Sequence, residues 1–201
     1  MYKRQVTNIA SATTTNLRTL AMGTGTWTVT GSGGTAPWNL AAGNLTVSGA
    51  NSTIVLSNNG TTALSFAGAD ATYGNLLIGG GSGTANVTIS GNNTFNTISS
   101  NRTSSWKLLF TAGTTTTMQN FTVSGSAGNI VTISSPTAAQ HNLVLTGNGI
   151  VNTVNYLNIS QSYASPTSNV WYAGNNSINS GSNFGWIFPT PLTSSNFFLV
   201  F

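Results

Sequence analysis

Val87-Thr88-Ile89-Ser90-Gly91-Asn92-Asn93 spells out a strand and the corner that ends it. Val and Ile fall on one face and Thr and Ser on the other, the period of two of a half-buried strand. Gly and Asn then tolerate left-handed backbone angles, and Asn bonds to its own main chain, so the pair suits a tight corner. The same order of apolar, Thr, β-branched, Ser and Gly returns at Leu45–Gly49 and Phe121–Gly125, with relatives ending at Ser134 and Ser160. A second strand type lies between them, at Asn75–Gly79, Trp106–Phe110 and Asn142–Gly147. Its copies are roughly 30–35 residues apart, inside the 20–50 residues of repeat architectures.

Alternation continues through Trp27–Thr30, Leu64–Phe66 and Leu157–Ser160, and no window of helical length carries apolar residues at three-and-four spacing without a break. The chain therefore reads as all-β. Short, mutually similar strands punctuated by Gly, Asn and Ser predict a β-solenoid, in which inward residues stack as ladders and corners carry Asn. A β-sandwich or jelly roll is the alternative, with Asn59-Gly60 and Asn148-Gly149 as its hairpin turns. Repetition favours the solenoid, because a sandwich does not need strands that resemble one another. Asn58-Asn59-Gly60, Asn92-Asn93, Asn148-Gly149 and Asn175-Asn176 are expected at corners, where stacked amides can form ladders.

Three regions follow. Residues 1–19, thin in pattern, are an arm or an incomplete first coil; residues 20–161 are the repetitive solenoid; residues 162–201 are a cap and tail. A solenoid needs atypical ends to cover its core, and Trp171, Phe184, Trp186 and Phe188 are placed to form an aromatic cap. The apolar run Phe197-Phe198-Leu199-Val200-Phe201 is expected to add to a sheet edge, in its own subunit or a neighbour; Phe197, Phe198 and Phe201 are assembly candidates.

Charge excludes much chemistry. Asp70 is the only acidic side chain in 201 residues, His141 the only histidine, and there is no cysteine. Paired-carboxylate catalysis, a metal centre and a hydrolytic triad each need several such groups converging. An Asp70–His141 pair lacks a nucleophile elbow, Asp70 reads as a turn residue, and His141 reads as part of the loop Ala139–Asn142. The chain is expected to be non-enzymatic and to use no cofactor or metal. Roughly half of it is Thr, Ser, Asn and Gly, which makes a neutral hydroxyl-and-amide surface, while clusters such as Leu76-Leu77-Ile78 supply a core. Five scattered cations do not make a nucleic-acid face. No apolar run reaches the roughly 20 residues of a membrane helix, and no secretory signal follows Lys3 and Arg4.

The strand-and-turn units, together with Trp171-Tyr172-Ala173-Gly174…Asn176-Ser177…Gly181…Asn183…Gly185-Trp186-Ile187-Phe188, resemble the β-helical regions of bacteriophage tail-fibre, tail-spike and other virion surface proteins. They are also similar to repeat regions of secreted bacterial adhesins, the runner-up. The first resemblance implies a structural virion surface or fibre protein, made in the host cytoplasm without a signal segment. It would form a homo-oligomer, foremost a homotrimer, join other virion proteins and present a face for host attachment to a surface glycan or protein. The adhesin resemblance places the chain at the cell surface instead. The polysaccharide-cleaving branch of tail spikes uses carboxylates that this chain lacks. Trp38 and Trp106 are candidate glycan contacts, with core packing as their plainer role. Thr-rich stretches such as Thr114–Thr117 bring in ice binding as a lesser alternative, weakened because outward Thr alternates irregularly with Ser and Asn.

Overall fold

The computed structural model describes residues 3–12, 15–31, 36–168 and 170–189. Nineteen strands are present among them: β1 Lys3–Val6, β2 Ile9–Ser11, β3 Arg18–Ala21, β4 Thr26–Val29, β5 Trp38–Leu40, β6 Leu45–Ser57, β7 Leu64–Gly68, β8 Thr72–Gly79, β9 Val87–Ser90 and β10 Thr94–Ser100. They continue as β11 Trp106–Phe110, β12 Thr115–Phe121, β13 Val131–Ser134, β14 His141–Leu145, β15 Leu157–Ile159, β16 Ser162–Ser165, β17 Trp171–Tyr172, β18 Ile178–Asn179 and β19 Trp186–Ile187.

Every pairing between these strands is parallel. One sheet runs β1-β4-β6-β8-β10-β12-β14-β16 with β3 also on β6, a second runs β18-β15-β13-β11-β9-β7-β5-β2, and β17 pairs with β19. The chain thus winds from one sheet to the other and back in a β-solenoid of about seven turns. A sandwich would show antiparallel hairpins, so that alternative is excluded. Asn59-Gly60 and Asn148-Gly149 are corners between parallel rungs, not hairpin turns.

The apparent spacing of 30–35 residues is corrected by the register. Thr53, Asn75 and Thr97 stack on successive coils at a spacing of 22 residues. In the two long sheets the step ranges from 20, between Ile159 and Asn179, to 29, between Ile9 and Trp38. Asn75 lies in β8 and Asn142 in β14 of the first sheet, whereas Trp106 opens β11 of the second. The repeated motif therefore recurs every one and a half coils, because strands of both sheets bury one face and look alike.

Alternation in phase with the register builds the core. Leu64, Val87, Leu108, Ile133 and Ile159 stack in one column, and Ile54, Leu76, Ile98 and Phe121 in another. Each of these side chains is at most 2% exposed. Tyr73, Phe95, Met118 and Leu145 make a third column. Trp38 stacks on Phe66 at 5.6 Å, and Phe66 meets Tyr73 edge-on at 5.3 Å. At about 25 cal/mol per Å² of apolar area, such columns are the main source of stability. Outward columns are mixed: Thr26, Thr53 and Asn75 are polar, whereas Thr28 is followed by Val55 and Leu77. Asn96 donates to Asn75 Oδ1 across 3.2 Å, an amide rung between neighbouring coils.

Both ends are made of the same units. Residues 3–11 supply β1 and β2, paired with β4 and β5, so this stretch is a first coil and not a free arm. Arg4 lies over the Trp27 ring at 5.0 Å. Past Ser162, β16 extends the first sheet and β18 the second.

Candidate functional site

Two aromatic residues face inward at the high-numbered end of the stack. Trp171 in β17 and Trp186 in β19 are register partners, with ring centroids 4.9 Å apart, and each lies 6.4 Å from Phe121. Trp171 donates its indole N–H to Ser165 O at 3.1 Å, and Trp186 donates to Ser162 Oγ at 2.9 Å. Both are buried, and Phe188 packs half-buried against the same core. Gly185, with φ +79°, makes this geometry: a Cβ there would lie 1.9 Å from Ala164 O. That left-handed turn sends Trp186 inward while the preceding Phe184 stays outside.

Phe184 is not part of the interior cluster. It is 53% exposed and stacks at 5.0 Å, with planes 14° apart, on Tyr163, itself 37% exposed. Tyr163 in turn is the register partner of Asn142, and Asn142 of Thr115. Below Thr115 the column is a corner: Thr115 N–H donates to Asn92 Oδ1 at 2.9 Å, and Asn92 N–H donates to Asp70 Oδ1. One outer column thus changes along the rod from carboxylate and amide to stacked aromatic rings. Tyr163 was not singled out by its sequence; its only signal is the outward phase of Ser162-Tyr163-Ala164-Ser165. Phe197, Phe198 and Phe201 lie outside the described residues.

Trp38 and Trp106, the candidate glycan contacts, are 0% and 3% exposed, as their plainer role in core packing requires. Trp38 donates to Tyr73 Oη at 3.4 Å, and Tyr73 to Gly68 O at 2.7 Å; burial pushes the Tyr73 hydroxyl up to about 12. Trp106 does border a shallow groove of about 360 Å³, lined also by Asn86, Lys107, Thr132, Asn158 and Ile178. Lys107 and Thr132 are register partners there, as are Asn158 and Ile178.

The ionisable groups are dispersed. Asp70 sits at the corner before β8 and His141 opens β14, three strands away in the sheet, about 14 Å at the ordinary spacing. His141 is not in a loop as its neighbours suggested. It is fully buried and stacks on Phe110 at 5.0 Å. Its Nδ1 lies 3.3 Å from Ser135 Oγ, which donates to Phe110 O at 3.0 Å, so Nδ1–H is the donor and Nε2 has no partner. Burial lowers its pKa to about 4, so the ring is neutral.

Arg102 is the cation that scattered placement concealed. It is 6% exposed, donates to Gly79 O at 2.8 Å, Ala85 O at 2.6 Å and Asn58 O at 3.3 Å, and lies over Trp106 at 5.0 Å. Burial lowers it to about 10, still protonated at neutral pH. Among the described residues no three His, Cys, Asp or Glu side chains gather to hold a metal. No family model matches the chain, and neither a curated protein nor a solved structure matches it.

Proposed function

We propose that this chain is a non-enzymatic structural protein of the virion surface or fibre type, which assembles with copies of itself, foremost as a trimer, and with other virion proteins. The observation that carries the reading is the outer column ending in Tyr163 and Phe184, two aromatic rings stacked on each other and left exposed on the side of the rod, above corner positions held by Asp70, Asn92 and Thr115. Exposed apolar surface rimmed by polar residues marks interaction sites. With five cations and one anion along 201 residues, copies repel one another weakly. Stacked parallel coils give a stiff spacer, in which the corner residues Asn58, Asn92 and Asn155 bond neighbouring coils.

Light scattering on the purified chain, with electron-microscope images of the particles, tests this. A mass three times that of the chain and elongated particles are the expected result. A mass equal to one chain over a hundredfold concentration range would overturn self-assembly.

A further inference from the structure

Two Asn-Gly bonds, Asn59-Gly60 and Asn148-Gly149, lie at corners with their Asn exposed, and the fold treats them differently. Gly149 has to be glycine, because a Cβ there would lie 2.5 Å from Gln119 O of the coil below. The same bare backbone lets a Gly nitrogen approach the side-chain carbonyl carbon of the Asn before it, with no Cβ in the way. At the first corner that nitrogen is engaged: Gly60 N–H donates to Asn58 Oδ1 at 2.7 Å. Asn58 is itself held in place, 8% exposed, with Nδ2 donating to Gly31 O at 3.2 Å. At the second corner the position of Asn58 is taken by Gly147, which has no side chain to accept a bond. Among the described residues neither the Gly149 N–H nor the side-chain amide of Asn148 has a hydrogen-bond partner.

We propose that Asn148 is a site of spontaneous deamidation in the folded chain, and that Asn58 guards Asn59 against the same reaction. The Gly149 nitrogen loses its proton to water and attacks Asn148 Cγ. An N–Cγ bond forms, the Cγ–Nδ2 bond breaks, and ammonia leaves. Water then opens the cyclic imide at either carbonyl, giving aspartate on the original backbone or isoaspartate with the chain rerouted through the side chain. No electrons are exchanged, and water is the co-reactant. At Asn59 the bond from Gly60 to Asn58 has to break first, which slows the step by about tenfold. Main-chain bonds guard Asn176-Ser177 and Asn179-Ser180: Ser177 N–H donates to Gly174 O at 3.3 Å, and Ser180 N–H to Ile159 O at 2.8 Å. Each event at Asn148 adds a carboxylate to a chain with one acidic side chain and lowers its formal charge of +4 by one. This inference is independent of the assembly proposed above.

Peptide mass spectrometry on the full chain tests it, after incubation in neutral buffer with and without denaturant. Trypsin, cutting after Arg18, Arg102 and Lys107, leaves the two sites in separate fragments, residues 19–102 and 108–201. In the folded chain Asn148 is expected to convert at least about ten times faster than Asn59, the rate equivalent of the one hydrogen bond that separates them. In denaturant that bond is gone, and the two rates should converge. Asn148→Gln, whose longer side chain closes the ring poorly, should remove most of the acidic species that ion-exchange chromatography resolves from the folded chain. Equal rates at the two sites in the folded chain would overturn the proposal. So would an Asn148 that stays intact in the folded chain, or acidic species undiminished in Asn148→Gln.

Discussion

Asn92 donates its backbone N–H to the carboxylate of Asp70 one coil below, while its own side-chain oxygen accepts the N–H of Thr115 one coil above at 2.9 Å. The single acidic residue of the chain is thereby the first member of a corner column whose later members are neutral. A second carboxylate stacked on it at about 4.8 Å would face its charge, whereas an amide or hydroxyl relays the bond upward.

Asp70 has φ +56°, a conformation Asn also adopts, and Asn keeps the acceptor oxygen. Asp70→Asn is expected to stay within about 0.5 kcal/mol of the parent, and Asp70→Ala to lose about 1–2 kcal/mol as capping residues do. Equal losses for the two, in chemical denaturation, would show that the bond to Asn92 contributes nothing.

His141 makes the acid response unusually simple to assign. Its ordinary pKa of 6.5 applies in the unfolded chain, and burial lowers it to about 4 in the fold. Between these values the unfolded chain takes up a proton that the folded chain refuses, so stability falls as pH drops from about 6.5 to about 4 and is fully present above that window. The loss is about 3 kcal/mol at most. His141→Phe, able to keep the stacking on Phe110, should flatten the curve over this window. Denaturation midpoints measured at half-unit pH steps decide it.

Arg102 ties its own coil to carbonyls of Gly79, Ala85 and Asn58, two of them on the coil below and one further down. Arg102→Met leaves three buried carbonyls short of a donor, at a cost of about 2–4 kcal/mol. Lys offers one compact charge in place of the planar fork and is expected to recover less than half of that. Full recovery by Lys in thermal unfolding would mean that charge, not the fork geometry, is what the site uses.

Much of this was legible in the residues. Val87-Thr88-Ile89-Ser90-Gly91 states its own strand, its buried face and its corner, because period and turn chemistry are local. The coil length was not legible, since Trp106–Phe110 and Asn142–Leu145 have the same buried-face pattern but lie on different sheets. Burial of His141 and Arg102 was hidden for the same reason: Gln140 and Asn142 flank the one, Asn101 and Thr103 the other, and the neighbouring coils supply Phe110 and the three carbonyls, while Ser135 comes from six residues back. Trp38 and Trp106 kept two readings because an isolated Trp reads alike inside and outside a rod, while their inward phase places them inside.

Phe184 and Tyr163 carry the last prediction. They touch each other outside the core, so replacing both by Ser removes exposed ring surface without opening a cavity among the buried columns. The fold should therefore change little, by under about 1 kcal/mol, as surface substitutions usually do. The mass in solution should fall from three chains to one, because the pair is the apolar centre of the side contact proposed for assembly. Gly185→Ala is the contrasting variant. It forces a Cβ toward Ala164 O from a left-handed backbone and should disturb Trp186 as well, seen as a shift in tryptophan emission. If the double Ser variant keeps the parent mass with an unchanged unfolding midpoint, the side contact lies elsewhere on the rod.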